Sequence, residues 1–320
     1  MQSSPVVRAV GVGLLGAVLQ IVMVIAFAWP AARTAPRDVP LVAAGPGAAA
    51  VAQRLERERP GAFDVTTVRD EAAARAALTG RDAYGALVTG PSGVRVLVAS
   101  GASPVVAQQL AQIAQGAPAH VEDLAPLPAS DPRGAGFSAL VLPLVMSGIG
   151  ASVLFTFLLR SAAWRAAGVA VFAVAGGLGS IALAQGWLGV LPGSYAPVAA
   201  CTVLAVAAVA GTITGLASLG RAGLGVGALT FLLLGNPLSG AASAPELLPA
   251  PWGAIGQWLP PGAAVTLLRS VAFFDGSGAG RPLAILAGWT VAGLLLLAAG
   301  AVRVGRRRVP VAERSPVLAV

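Results

Sequence analysis

Four long apolar runs without a charged side chain constrain this chain more than any other feature. They cover residues 137–159, 166–188, 197–219 and 282–302. Each is about 21 to 23 residues long, and a helix that crosses the bilayer core needs about 20. Only 11 % of the 320 residues are charged, and the mean hydropathy is +0.80. The sequence therefore predicts an α-helical polytopic membrane protein.

Two further runs bring the predicted number of transmembrane helices to six. The apolar run at residues 10–29 is preceded by Arg8 and followed by Pro30. This pattern favours a first span at 10–30 with residues 1–9 in the cytoplasm. The alternative is a cleaved signal peptide, whose apolar region is usually shorter, about 7 to 15 residues. Residues 222–235 would form a helix only ~21 Å long before Asn236-Pro237, so this fifth span is expected to be short.

The arginines indicate how the six spans are oriented. All 21 basic residues are Arg, and the net charge is +8. Nine of them lie in short loops or at span ends on one side, with Glu313, while the other 12 are matched by 12 acidic residues. The positive-inside rule places this side in the cytoplasm with both termini and a basic tail at 303–320, and it disfavours nucleic-acid binding. The nine are Arg8, Arg160, Arg165, Arg221, Arg303, Arg306, Arg307, Arg308 and Arg314.

Residues 38–132 differ in character from the rest, because they hold ten of the 13 acidic residues. Apolar residues repeat every second residue in some parts of this stretch and about every 3.6 residues in others. These are the periods of strands and helices, which alternate in small α/β domains. Strands are predicted at 39–43, 63–68, 84–89 and 94–99, and helices at 48–59, 70–79 and 104–115. We therefore expect an external α/β domain between the first and second spans, large enough for a core of its own.

A proline-rich segment, residues 236–276, lies before the last span of the five-span membrane domain at 137–302. Its six prolines exclude a continuous spanning helix. Residues 252–258 are amphipathic with a tryptophan at each end, and residues 263–274 are predicted as a short helix. Together the two pieces make a re-entrant or interfacial hairpin. Irregular backbone at membrane depth must be satisfied by protein or by water, so the segment is a candidate lining for a substrate path. The alternative is a lid of loop and interfacial helix.

Residues suited to catalysis are few. A single histidine, His120, and a single cysteine, Cys201, exclude metal sites built from clusters of these residues. No Gly-x-Ser-x-Gly motif accompanies His120 as part of a catalytic triad. The chain has no lysine and so no P-loop of its own, and the predicted spans hold no carboxylate for proton coupling. We expect neither an enzyme, nor a bound metal, nor a cofactor.

Arg269 falls inside the predicted helix 263–274, where an unpaired charge is costly. We expect it to pair with Asp275 or Glu246, and contact with an anionic lipid or substrate is the alternative. Pro237 also removes the helical partner of the Leu233 carbonyl, which a water-filled cavity would satisfy. The expected substrate path comprises Asn236, Pro237, Trp258, Arg269 and Asp275.

The order of these parts resembles the ABC-2 type permease family of ABC exporters. The resemblance covers nearly the whole chain and is carried by Gly235-Asn-Pro-Leu-Ser-Gly240, Leu248-Pro249 and Trp258-Leu-Pro-Pro-Gly262, followed by Ala264 to Arg269 and Phe273-Phe-Asp-Gly276. It implies a permease subunit in the bacterial cell membrane that moves lipid-like, drug-like or polymeric substrates outward.

The resemblance also implies partners, namely a separate ATP-binding subunit and a second permease copy, identical or different, within the lipid bilayer. Members of the family often carry an amphipathic cytoplasmic helix before the first span, whereas nine residues precede Val10 here. Contact with the ATPase is therefore expected at Arg160, Trp164 and Arg165 in one turn, and at Arg221.

Two other readings stay open at this point. One is an ATPase-independent membrane protein with the same layout, like the YhgE/Pip or DUF3533 proteins. The other is a membrane-anchored sensor whose external domain binds a ligand.

Overall fold

The structure, a computed structural model, describes residues 4–91, 93–115 and 119–307. Residues 308–320 of the expected basic tail lie outside this range. So do residues 1–3 of the expected N-terminal segment and Ser92 of the turn between two predicted strands.

The chain begins with a long helix, α1 (Pro5–Ala32), and then forms the α/β domain. In chain order the domain contains β1 (Val39–Ala44), α2 (Ala48–Glu58), β2 (Phe63–Val68), α3 (Glu71–Thr79), β3 (Gly85–Gly90), β4 (Gly93–Val98), α4 (Pro104–Gln115) and β5 (Ala119–Asp123). The strands form one mixed sheet in the order β2-β1-β3-β4-β5, in which only β3 and β4 pair antiparallel. A small mixed sheet is therefore confirmed, with a fifth strand that the sequence patterns did not indicate.

Helices cover both faces of this sheet, so the inner strand β1 is apolar throughout. Val39 and Leu41 belong to the core cluster on one face, and Val42 and Ala44 to the cluster on the other. Successive side chains of a strand point to opposite faces, which is why β1 reads as a nearly continuous apolar run. The first turn of α3 is fixed by Asp70, whose carboxylate accepts a hydrogen bond from the amide of Ala73 at 2.9 Å.

The rest of the chain is helical. It comprises α5 (Ala135–Leu158), α6 (Ala162–Ile181) with a π-helical turn at Ala182–Trp187, α7 (Tyr195–Leu219), α8 (Arg221–Leu229) with a π-helical turn at Thr230–Gly235, α9 (Trp252–Trp258), α10 (Pro260–Phe273) and α11 (Gly280–Arg307). Among the described residues, five helices are long and apolar enough to cross a membrane, as in a multi-pass membrane protein: α1, α5, α6 with its π-helical turn, α7 and α11. The apolar helix Arg221–Gly235 is shorter.

Helix α7 is the centre of the bundle, and small residues let its neighbours approach closely. A Cβ atom added to Gly293 of α11 would lie 2.6 Å from the carbonyl carbon of Gly211. One added to Gly215 would lie 2.6 Å from the carbonyl oxygen of Gly293. The backbones of α7 and α11 are therefore in direct contact, which is typical of glycine-mediated packing between membrane helices.

The proline-rich segment folds as a short helical hairpin, α9 followed by α10, preceded by a 3₁₀ turn at Pro245–Leu247. Pro260 and Pro261 occupy the first turn of α10 instead of preceding it. Proline is tolerated there because the first amides of a helix have no partner within the helix. The helix consequently begins three residues earlier than the expected start at residue 263.

The α/β domain completes both of its cores with residues of this segment. Ala244 and Leu247 belong to the cluster on one face of the sheet, and both are fully buried. Phe274 belongs to the cluster on the other face, with Phe273 packed against it. The sheet is thus held between two parts of the segment, and the domain and the segment form one packed unit.

Candidate functional site

A cavity of about 520 Å³ lies between the α/β domain and the proline-rich segment. Its charged lining residues are Arg37, Asp38, Arg81, Asp82, Glu246, Arg269 and Arg281. Tyr84, Gln257 and Thr266 add uncharged polar groups, and several apolar residues of the segment complete the lining. A concave site with a few converging polar groups is the usual form of a ligand site.

Arg81 links the α/β domain to α10 across this cavity. Its Nη1 donates to the carbonyl oxygen of Thr266 at 2.8 Å and to the hydroxyl of Ser270. Its guanidinium also lies 5.4 Å from the ring centre of Phe274, within cation–π range. Burial lowers the pKa of Arg81 from its ordinary value, and the hydrogen bonds to α10 hold the side chain in place.

Tyr84 forms the second link, because its phenol donates a hydrogen bond of 2.8 Å to Oε2 of Glu246. Burial raises the pKa of Tyr84 well above its usual range, and the neighbouring negative charge of Glu246 raises it further. The phenol is therefore held in the neutral form that can donate to the carboxylate.

Arg37 ties the linker after α1 to the same segment. Its Nη1 donates to the carbonyl of Leu247 at 2.9 Å, and its backbone amide donates to the carbonyl of Glu246 at 3.1 Å. The amide of Ala35 also donates to Leu247, at 3.0 Å. Trp29, near the end of α1, packs edge-to-face on Trp252 of α9. These contacts fix one wall of the cavity.

Arg269 is buried, with 4 % of its surface exposed. Its guanidinium donates to the carbonyls of Ala241 at 2.8 Å and Gly240 at 3.2 Å, and it stacks 5.1 Å from the ring centre of Phe137. The four ion pairs found among the described residues all lie within the α/β domain, so neither Asp275 nor Glu246 pairs with Arg269. The pairing that we expected from the sequence is replaced by hydrogen bonds to backbone.

Other side chains satisfy the same irregular loop before Pro245. Ser138 of α5 donates to the carbonyl of Ala241 at 2.7 Å. Gln257 of α9 donates to the carbonyl of Ser239 at 3.1 Å and accepts from the hydroxyl of Thr266 at 2.6 Å. These polar backbone groups are thus satisfied by protein, as burial requires.

The link between α9 and α10 reaches the membrane helices. The indole nitrogen of Trp289, in α11, donates to the carbonyl of Trp258 at 2.8 Å. Trp289 also packs on Phe231, whose ring centre is 5.5 Å away. The exposed side chain of Trp258 extends toward the cavity mouth, since Arg281 stacks 5.2 Å from its ring centre.

Of the five expected substrate-path residues, Arg269 lines the cavity. Asn236 and Pro237 lie after the π-helical turn, where the amide of Asn236 donates to the carbonyl of Phe231 five residues earlier. Trp258 is at the margin, in contact with Arg281. Asp275 is exposed and lines a separate cavity of about 380 Å³ between α3 and the end of α10.

The expected ATPase contacts lie at the end of the bundle away from the α/β domain. Arg160 is exposed in the turn between α5 and α6, and Trp164 is exposed in the first turn of α6, with 69 % of its surface accessible. Arg165 instead turns back and donates to the carbonyls of Leu159 and Thr156 at 2.9 and 2.8 Å. Arg221 is exposed at the start of α8.

Sequence reasoning missed Arg37, Arg81, Tyr84 and Gln257. The first three lie in or near the α/β domain, and no local pattern indicates that their partners lie about 160 to 210 residues further along. Gln257 sits within the segment predicted to be amphipathic, and its polar character was the available signal.

Nothing in the described part of the chain groups three or more histidine, cysteine or carboxylate side chains as a metal site would need. No family model, no curated protein and no solved structure matches this chain.

Proposed function

We propose that the chain is the permease subunit of an exporter, of the ABC-2 type, that works with a separate ATPase. In this proposal the α/β domain is external, both termini are cytoplasmic, and the protein resides in the bacterial cell membrane. A second permease copy completes the transport unit.

The polar cavity between the α/β domain and the proline-rich hairpin is the observation that carries this proposal. The cavity joins a domain outside the bundle to a hairpin whose tip contacts α11. A substrate that leaves the bundle beside the hairpin would pass these polar groups. Broken helices near a substrate site are a recurring feature of transporters.

The sixth span in this topology is Arg221–Gly235. With 15 residues it is shorter than the five candidate spans, and its π-helical turn precedes Pro237. It would begin at the cytoplasmic side with Arg221 and end beside the hairpin, where Gly235 packs against Pro261. A short span leaves the hairpin to complete the outer half of the bilayer, which makes the hairpin re-entrant.

The energy source in this proposal is an ATPase in trans, because the chain has neither lysine for a P-loop nor a carboxylate in its five candidate spans. Arg160 and Trp164 are the docking candidates because both are exposed. Arg165 is a poor choice for a docking test, since it caps the last carbonyls of α5 and its removal would disturb the fold.

Co-purification with an ATP-binding protein encoded beside this chain tests the proposal. Arg160→Ala and Trp164→Ala together should weaken the association at least tenfold. Trp187→Ala is the matched control, because Trp187 is 78 % exposed at the opposite end of α6 and its π-helical turn. Substrate movement by the purified chain alone, driven by a proton gradient, would exclude an ATPase-driven exporter.

A further inference from the structure

Two arginines and one carboxylate of the cavity lining lie where the α/β domain, the 3₁₀ turn and α10 meet. The two arginines, Arg81 and Arg269, lie close enough to repel each other. Glu246 is the carboxylate that interacts with both, and it is hydrogen-bonded to Tyr84 instead of either guanidinium. Among the described residues, Arg81 and Arg269 therefore share one carboxylate, and neither forms an ion pair with it.

Arg81 retains hydrogen-bonding capacity. Within the described residues only its Nη1 donates, so Nε and Nη2 have no protein acceptor. A guanidinium presents its donors as a planar fork that matches the oxygens of a phosphate or carboxylate. Arg81 is fixed against α10, so this fork is already oriented before a ligand arrives.

The mouth of the cavity adds four charged groups whose formal charges cancel. Asp38, Asp82 and Arg281 are exposed, and Arg37 is partly buried. Arg281 makes no hydrogen bond within the described residues and stacks on Trp258 instead. The complete lining thus has four arginines and three carboxylates, which leaves one positive charge for a ligand to neutralise.

An apolar surface continues from the mouth. Trp252, Ile255 and Trp258 of α9 are exposed, and Ile285 of α11 lines the cavity. Exposed tryptophans at such a boundary are typical of the interface between membrane and water. A ligand with a charged head and an apolar body could therefore place its head in the cavity and its body along α9.

We propose that this cavity binds the phosphate group of an anionic amphiphile, held by Arg81 and Arg281, with the apolar body lying on α9. The proposal names the substrate class for the exporter proposed above. Transport of the ligand rests on that function, whereas binding of the ligand does not. Phosphate is the shared chemistry of a phospholipid head and of free phosphate, and the amphiphile is favoured by the adjoining apolar surface.

Calorimetric titration of the purified full-length chain in detergent tests this proposal with three probes. These are dihexanoyl phosphatidylglycerol, dihexanoyl phosphatidylcholine and inorganic phosphate. We expect phosphatidylglycerol to bind, and phosphatidylcholine to bind at least tenfold more weakly because it carries no net charge. Arg81→Gln should weaken phosphatidylglycerol binding about tenfold or more, since hydrogen bonds to charged groups are the strong ones.

Arg281→Gln is a second variant that should keep the fold, because this exposed side chain donates to no backbone group of the described residues. It should also weaken binding severalfold. Arg54→Gln is the control, since Arg54 is exposed on α2 and pairs with Glu58. Equal binding of the two lipids, or wild-type affinity in both cavity variants, would overturn the proposal. Inorganic phosphate binding as tightly as phosphatidylglycerol, with the same losses, would support the anion site and assign it to the free anion.

These measurements need neither ATPase nor transport. Binding with the expected losses in a chain that recruits no ATPase would reject the exporter and keep the anion site. ATPase-dependent export with no lipid or phosphate binding would reject the anion site and keep the exporter.

Discussion

The phenol of Tyr84 donates a 2.8 Å hydrogen bond to the carboxylate of Glu246, and this bond joins the α/β domain to the proline-rich segment 162 residues further along the chain. Both side chains line the cavity. The bond needs a neutral phenol, because a phenolate has no hydrogen to donate.

Titration of the tyrosines should reveal this constraint. The pKa of Tyr84 is raised above its usual value by burial, and by Glu246. A raised pKa in the folded state means that the contribution to stability is complete below about pH 10, the pKa in the unfolded chain, and is lost as the pH rises above it. The chain has two tyrosines, so ultraviolet absorbance of phenolate can separate them. While the protein stays folded, Tyr84→Phe and wild type should give the same titration curve up to about pH 11. A phenolate signal near pH 10 that disappears in Tyr84→Phe would contradict the burial.

Replacement of Arg269 should lower the free energy of unfolding more than replacement of any exposed arginine. Arg269→Leu removes the charged donor from the carbonyls of Gly240 and Ala241, which keep only the amide of Ser243 and the hydroxyl of Ser138. Each hydrogen bond to a charged group contributes about 1.5 to 3 kcal/mol. We expect a loss of roughly 3 kcal/mol or more in the free energy of unfolding, measured by denaturation in detergent. The matched control is Arg281→Leu, which should change stability by less than about 1 kcal/mol because Arg281 is exposed. Similar stabilities for the two variants would show that Arg269 does not hold the loop.

The contact between α7 and α11 gives a prediction with a control on the same helix. Gly293→Val places side-chain atoms against the backbone of Gly211, and such overpacking costs about 1 to 3 kcal/mol or separates the helices. Gly288→Val is the control, because among the described residues no neighbouring atom outside its own helix turn lies within 4 Å of a Cβ atom at that position. Thermal unfolding in detergent should therefore occur at a lower temperature for Gly293→Val only. Equal effects of the two substitutions would argue against close contact of these helices.

The orientation proposed for the membrane can be tested with reporter fusions. A fusion after Arg133 should report from outside the cell, and one after Arg308 from the cytoplasm. The reason is the surplus of arginine at the end of the bundle away from the α/β domain. A cytoplasmic signal from the first fusion would reject the external location of the α/β domain and the six-span topology together.

Local pattern was sufficient for most of the regular elements. The expected strand at residues 63–68 and the expected helix at 104–115 have the same bounds in the structure. Their apolar residues repeat with the period of the element, and turns or prolines mark their ends. The strand Ala119–Asp123 was missed because its five residues include His120, Glu122 and Asp123, which do not resemble a buried strand.

The candidate site was predictable only in part. Arg269 stood out because a charge interrupts an apolar helix, yet its hydrogen bonds to backbone carbonyls could not be foreseen, since they depend on how the loop at 240–243 folds around it. Arg81 and Tyr84 looked like ordinary residues of a soluble domain. Their roles arise from packing between segments far apart in sequence, which no local period encodes.

The shared core of the α/β domain and the proline-rich segment has a consequence for how the protein is made. The last strand of the domain ends at Asp123, and Phe274 follows about 150 residues later. At a synthesis rate of about 5 to 20 residues per second, the ribosome needs roughly 8 to 30 s to add that length. For most of this interval the nascent domain lacks Leu247 on one face of its sheet, and until its end it lacks Phe274 on the other. The domain therefore reaches its final packing only after most of the membrane helices have been synthesised. Complete folding of the domain thus depends on the correct placement of residues near the end of the chain.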